Sequence, residues 1–164
     1  MMRLAVIRLQ ALARSCLPLL SAGLSLAFAC ASAIAASALT PPPDSPERQA
    51  ICDGMRRYVL ATERPANLPQ PIVFKVEYLK TTGDYAAFEG LAQFEDGSRA
   101  AGVVLPDVVY TTFLQRGKDG QWSVIADLTR TDVPDAGELR QIRKRFPKRI
   151  PTAIIPEFWR DKLR

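Results

Sequence analysis

Between Pro71 and Thr131 the chain alternates apolar and polar residues in four short runs separated by glycine-bearing turns. A period of two marks strands with one face turned inward and one outward. In the first run, Ile72 to Lys80, the side chains of Ile72, Phe74, Val76 and Tyr78 point one way and those of Lys75 and Glu77 the other. Thr81-Thr82-Gly83-Asp84 makes a turn. The second run, Tyr85 to Phe94, puts Ala86, Phe88, Gly90, Ala92 and Phe94 on one face, and Gly90 in mid-strand signals a bulge or the close approach of another backbone. Asp96-Gly97 is the next turn signal. A third strand spans Val108 to Arg116, Gly117-Lys118-Asp119-Gly120 closes a hairpin, and a fourth strand, Gln121 to Thr129, aligns Trp122, Val124, Ala126 and Leu128. Ser98 to Asp107 reads either as a strand extension through Val103-Val104-Leu105 or as a loop over the mouth of the sheet. The pattern predicts an antiparallel sheet with one buried face.

Helical spacing flanks the strands on both sides. Ser45, with Pro46 and Glu47 behind it, is an N-cap for a helix running to about Ala61. Ile51, Cys52, Met55, Tyr58 and Val59 form its apolar stripe, while Asp53, Arg56 and Arg57 face away. Gly54 is a weak point, costing about 1 kcal/mol against Ala in a helix interior. Pro65, Pro69 and Pro71 end the helix. After the strands, Asp135 and Glu138 have the spacing of a capping box, followed by Leu139, Ile142 and Phe146 and stopped by Pro147. Beyond it Ile150, Ile154, Ile155, Phe158 and Trp159 alternate with prolines, and Pro156 opens a last short helix. So apolar a tail implies a contact. The fold class is α+β: an N-terminal helix packed on a four-stranded antiparallel meander, with short C-terminal helices.

The first 38 residues read differently. Arg3, Arg8 and Arg14 make a basic start, Leu17 to Ala36 is an uncharged apolar run, and Ala36-Ser37-Ala38 offers small residues before a cut at Leu39. That is the pattern of a secretory signal peptide. Ala31-Ser32-Ala33 is a second exit. The run is also just long enough for a retained membrane span, and Ala27-Phe28-Ala29-Cys30 has small residues around a cysteine, as a lipid-anchoring signal would. The expected location is therefore exported, periplasmic or secreted, with lipid anchoring at Cys30 as the alternative. Leu39 to Asp44 is a proline-rich spacer, expected to be stiff and poorly ordered. With Cys16 and Cys30 in the leader only Cys52 remains, so no internal disulfide can form and the core alone must hold the domain. Inside its apolar stripe Cys52 is read as a small buried hydrophobe, against a reactive or dimer-forming thiol.

A helix followed by a four-stranded meander is similar to the cystatin-like and NTF2-like α+β rolls. Gly83-Asp84-Tyr85-Ala86-Ala87-Phe88 and Asp119-Gly120-Gln121-Trp122-Ser123-Val124 resemble segments of small exported bacterial proteins of unassigned function. The resemblance implies a fold and a compartment, not an activity.

Charge sharpens the picture more than composition does. The 164 residues carry 22 Lys and Arg against 17 Asp and Glu. From Leu39 to Leu139 there are 10 basic and 15 acidic residues; from Arg140 to Arg164 there are 9 basic and 2 acidic. An acidic body with a basic arm points either to an anionic partner or to docking of the arm on the body. Arg140, Arg143, Lys144, Arg145, Lys148 and Arg149, with Trp159, are the candidate binding surface for an unknown protein or an anionic envelope component. Nucleic acid is not an expected partner, and a membrane only if Cys30 is lipidated.

The chain has no His, which removes the commonest general base, the usual activator of Ser and Cys, and a common metal ligand. No cofactor or metal is expected. Carboxylates remain: Glu77, Glu89 and Asp127 fall on the polar face of the sheet, where two held close together could do acid–base work and where the plainer reading is a solvated face. The first functional expectation is a non-enzymatic binding or accessory protein of the cell envelope, whose partner would be lost on deleting Arg140 to Arg164 with the sheet left folded. The alternatives are a small enzyme using a carboxylate pair in a sheet pocket, and an inhibitor of a secreted hydrolase acting through Ser98 to Asp107.

Overall fold

The computed structural model describes residues 37–100, 104, 108–131 and 133–163. The leader up to Ala36, Cys30 included, and most of the 101–107 segment lie outside the described residues. The elements follow in the order α1 (Pro46–Glu63), β1 (Ile72–Thr82), β2 (Tyr85–Phe94), β3 (Val109–Arg116), β4 (Trp122–Asp127), α2 (Ala136–Arg145), a 3-10 turn (Thr152–Ile154) and α3 (Glu157–Arg160). The four strands form one antiparallel sheet in the order β1-β2-β3-β4. The chain is an α+β protein.

Local chemistry sets the helix starts. The Ser45 hydroxyl accepts from the Arg48 N–H at 3.2 Å, and Pro46 occupies the first helical turn, where its missing N–H costs nothing. Asp135 and Glu138 close a reciprocal capping box at the start of α2. The proline-rich spacer is ordered, contrary to expectation. Leu39 and Thr81 exchange two backbone hydrogen bonds of 2.8 Å, Pro41 is buried, and its carbonyl accepts from Arg48. Leu39, just before the prolines, has a free N–H and C=O to offer the unpaired edge of β1, and the prolines after it end the pairing.

The main departure from the sequence reading is that the sheet is buried on both faces. Ala87 of β2 and Phe113 of β3 turn apolar side chains to the second face by plain alternation, and two bulges bring β1 and β4 into line with them. On β1, Val76 pairs with Gly90 and Tyr78 with Glu89, so Glu77 is an extra residue. On β4, Leu114 pairs with Val124 and Phe113 with Ala126, so Ile125 is extra. A bulge advances the chain by one residue and hands every later side chain to the opposite face. Tyr78 therefore leaves the face of Phe74 and Val76, and Leu79 takes its place. Ala126 and Leu128 likewise part from Trp122 and Val124.

The first core lies under α1. Ile51, Met55 and Val59 pack on Ile72, Leu79, Phe88, Leu114 and Trp122, joined by Ala100 and Val104 from the β2–β3 connection. Phe74 meets Phe88 edge to face at 5.3 Å, and the buried Thr112 hydroxyl donates to Met55 Sδ at 2.9 Å. Gly54 explains itself here. A Cβ at this position would stand 2.6 Å from the Trp122 carbonyl oxygen, so the helix approaches β4 more closely than any other residue permits. Gly90, opposite the β1 bulge, plays the same part: a Cβ there would lie 2.8 Å from the Lys75 carbonyl oxygen.

The second core lies under the C-terminal arm. Ala87, Phe113 and Leu128 meet Phe146, Ile150, Ile154, Ile155 and Trp159. Phe113 and Phe146 stack edge to face at 4.9 Å, and the Tyr78 hydroxyl donates to the Ile154 carbonyl at 3.0 Å. The basic arm thus docks on its own body through apolar residues. Deleting it would uncover Phe113, so the expectation of an intact sheet without the arm no longer holds.

Candidate functional site

The three carboxylates do not gather. Glu77 is the exposed bulge residue of β1. Glu89 sits on the arm face of β2, opposite Tyr78 and Thr111. Asp127, beyond the β4 bulge, belongs to the α1 side, where it accepts from the Tyr58 hydroxyl at 2.6 Å and from the Thr129 N–H at 2.8 Å. Burial and the Asp127 carboxylate push the Tyr58 hydroxyl up to about 12. Asp127 therefore fastens the end of β4 to α1 rather than joining Glu89.

Glu89 keeps some interest. Partial burial raises its carboxyl above the usual range, the neighbouring Glu77 charge raises it further, and a hydrogen bond from the Thr111 hydroxyl pulls it part of the way back. It lines an open groove with Thr111, Leu128, Thr129, Val133 and Phe158. That groove holds about 600 Å³ but is wide open to solvent, and the adjoining cleft between α2 and β4 holds about 270 Å³, whereas small-molecule pockets of roughly 300–1,000 Å³ enclose most of their ligand. Cys52 is half-buried, and desolvation raises its thiol against the pull of Arg48 and Arg56. A thiol so held stays protonated at neutral pH and is a poor nucleophile.

The cations have a different setting. Arg140, Arg143, Lys144 and Arg145 on α2 are exposed, as are Lys148 and Arg149 just after it. None of the six forms an ion pair among the described residues. No residue of α2 is fully buried. The helix is fixed by its capping box at one end and by the buried Phe146 at the other, with half-buried Leu139 and Ile142 between. Arg143 Nε donates to the Lys162 carbonyl at 2.6 Å, tying α2 to the turn after α3. Three of the cations stand in the last turn of α2, where the helix dipole favours positive charge.

Trp159 is not on that surface. It is 3% exposed, within the second core. Its neighbour Phe158 is the outward aromatic, 49% exposed, edge to face with Trp159 at 5.1 Å and carrying the Lys162 ammonium 3.4 Å above its ring. Val133, 75% exposed, lines the same groove. Sequence reasoning missed both. Two adjacent aromatics on a one-turn helix cannot both face inward, and nothing in the pattern says which does. Of the Ser98–Asp107 segment, Ala100 and Val104 are turned into the first core.

Among the described residues no helix is long and apolar enough to cross a membrane. The chain matches no protein-family model, and neither the curated proteins nor the solved structures contain a significant match to it.

Proposed function

We propose that this chain is an exported, non-enzymatic binding protein of the cell envelope that engages an anionic component through the cations of α2 and its C-terminal extension. The single observation behind this reading is the run from Arg140 to Arg149: six exposed cations with no ion-pair partner among the described residues, four on a helix held down by its apolar side and two in the turn after it. Like charges at helical spacing of three or four repel one another by a few tenths of a kcal/mol per pair. The helix dipole offsets part of that cost for the three cations of the last turn, and an anionic partner would offset the rest. The leader-like start supports export. We place the body beside the cystatin-like and NTF2-like rolls on its order of one helix and then a meander.

The test is titration of the mature chain against a soluble polyanion, inorganic polyphosphate, at low and high salt. The reading expects binding that weakens steeply with salt and is abolished in the R140E/R143E/K144E/R145E variant. Equal binding by the wild type and that variant overturns it.

A further inference from the structure

Among the described residues four large apolar side chains stand exposed: Leu39, Leu68, Val133 and Phe158. Isolated ones are ordinary on a protein surface. Val133 and Phe158 are not isolated, because they line one open groove between the 129–133 connection and α3. Cations frame them. Arg145 lines the adjoining groove together with Val133 and Arg130, the last of these ion-paired to Glu63 at 3.4 Å. On the other side the Lys162 ammonium covers the Phe158 ring, and the Lys162 carbonyl is bonded to Arg143. The acidic residues nearby are Glu138 in the adjoining groove, Glu89 in the groove itself, and Glu157 and Asp161 on and after α3.

We propose that this surface binds the anionic phospholipid face of a bilayer, with Val133 and Phe158 entering the acyl boundary and the α2 cations contacting headgroup phosphates. The inference rests on the anion-binding reading above and adds the partner. A soluble acidic polymer would satisfy the cations and leave Val133 and Phe158 in water. A bilayer interface offers phosphate and hydrocarbon together. The Lys162 ammonium, held over the ring and donating to the Phe158 carbonyl at 3.0 Å, swings aside on its long alkyl stem to the headgroups as Phe158 goes deeper. The binding is peripheral, needing no lipid on Cys30.

The experiment is co-sedimentation of the mature chain with vesicles of phosphatidylcholine alone and of phosphatidylcholine mixed with phosphatidylglycerol, beside the polyphosphate titration. The proposal expects binding to the mixed vesicles, little to the neutral ones, and an affinity about tenfold lower in the V133S/F158S variant, whose polyphosphate binding is unchanged. Far-UV circular dichroism verifies that the variant is folded; a single-site V133S serves if it is not. Equal vesicle binding by variant and wild type overturns the insertion while leaving the anion-binding reading intact. Polyphosphate binding with no vesicle binding does the same. Binding to neither overturns both.

Discussion

The two faces of the sheet are covered in opposite ways. On one, an 18-residue helix lies so close that only glycine fits at its point of contact with β4. On the other, a ten-residue helix without a buried residue, a 3-10 turn and a four-residue helix cover the strands piecemeal. The helix face is closed where α1 meets β4, though a groove lined by Arg48, Cys52, Asp53, Arg56 and Phe74 runs between α1 and β1. The arm face leaves open grooves, a half-buried carboxyl and a row of cations without ion-pair partners among the described residues. What sets the arm face apart is therefore its charge, and the candidate site is placed there on that ground.

Five substitutions probe this contrast. The largest effect is expected at Trp159. Trp159→Ala should lower stability in urea by about 3–5 kcal/mol, whereas Phe158→Ala one residue away should cost less than about 0.5 kcal/mol. Equal losses would mean that the arm is not divided into an inward and an outward aromatic. Next is Gly54→Ala. Propensity alone favours Ala in a helix by about 1 kcal/mol, but the contact with the Trp122 carbonyl should reverse the sign and give a net loss of about 1–3 kcal/mol. A stabilised variant would show that the helix face is looser than described.

Smaller is Tyr58→Phe, which removes the hydrogen bond to Asp127 at an exposed site and should cost about 0.5–1 kcal/mol. The raised Tyr58 pKa also fixes a pH dependence. The folded state keeps its proton above the unfolded value, so stability present below about pH 10 declines as pH rises toward about 12. Tyr58→Phe should flatten that decline in thermal melts. The smallest effect is at Glu89. Its folded carboxyl is raised, so the folded state holds a proton that the unfolded state has released, and stability falls as pH climbs through that window above the ordinary glutamate value of 4.5. Glu89→Gln should remove the slope and gain less than about 1 kcal/mol at neutral pH, the exposed half of the site damping the effect.

Much of this arrangement was legible in the residues. β2 spans Tyr85–Phe94 as its alternation indicates, and both capped helices begin at Ser45 and Asp135. What alternation could not convey was the pair of bulges, because an inserted Glu77 or Ile125 looks like any other strand residue. A trace was nonetheless present. Tyr78-Leu79, Ala86-Ala87-Phe88, Phe113-Leu114 and Val124-Ile125-Ala126 put apolar residues side by side, as strands buried on both faces do. Reading those doublets as two-sided burial would have found the arm's docking site and parted Asp127 from Glu89. The cations were plain in the sequence, since charge density needs no register. The groove around Phe158 was not, because it depends on which aromatic of α3 turns inward.

The most direct measurement compares equilibrium unfolding of the full chain carrying Trp159→Phe with that of a chain ending at Leu139, which lacks Trp159, so that fluorescence reports Trp122 alone. An arm that supplies the second core predicts that the shortened chain loses its cooperative transition, or unfolds at a far lower urea concentration. An unchanged midpoint and slope would contradict it, and would leave the sheet with one buried face and the arm as an appendage.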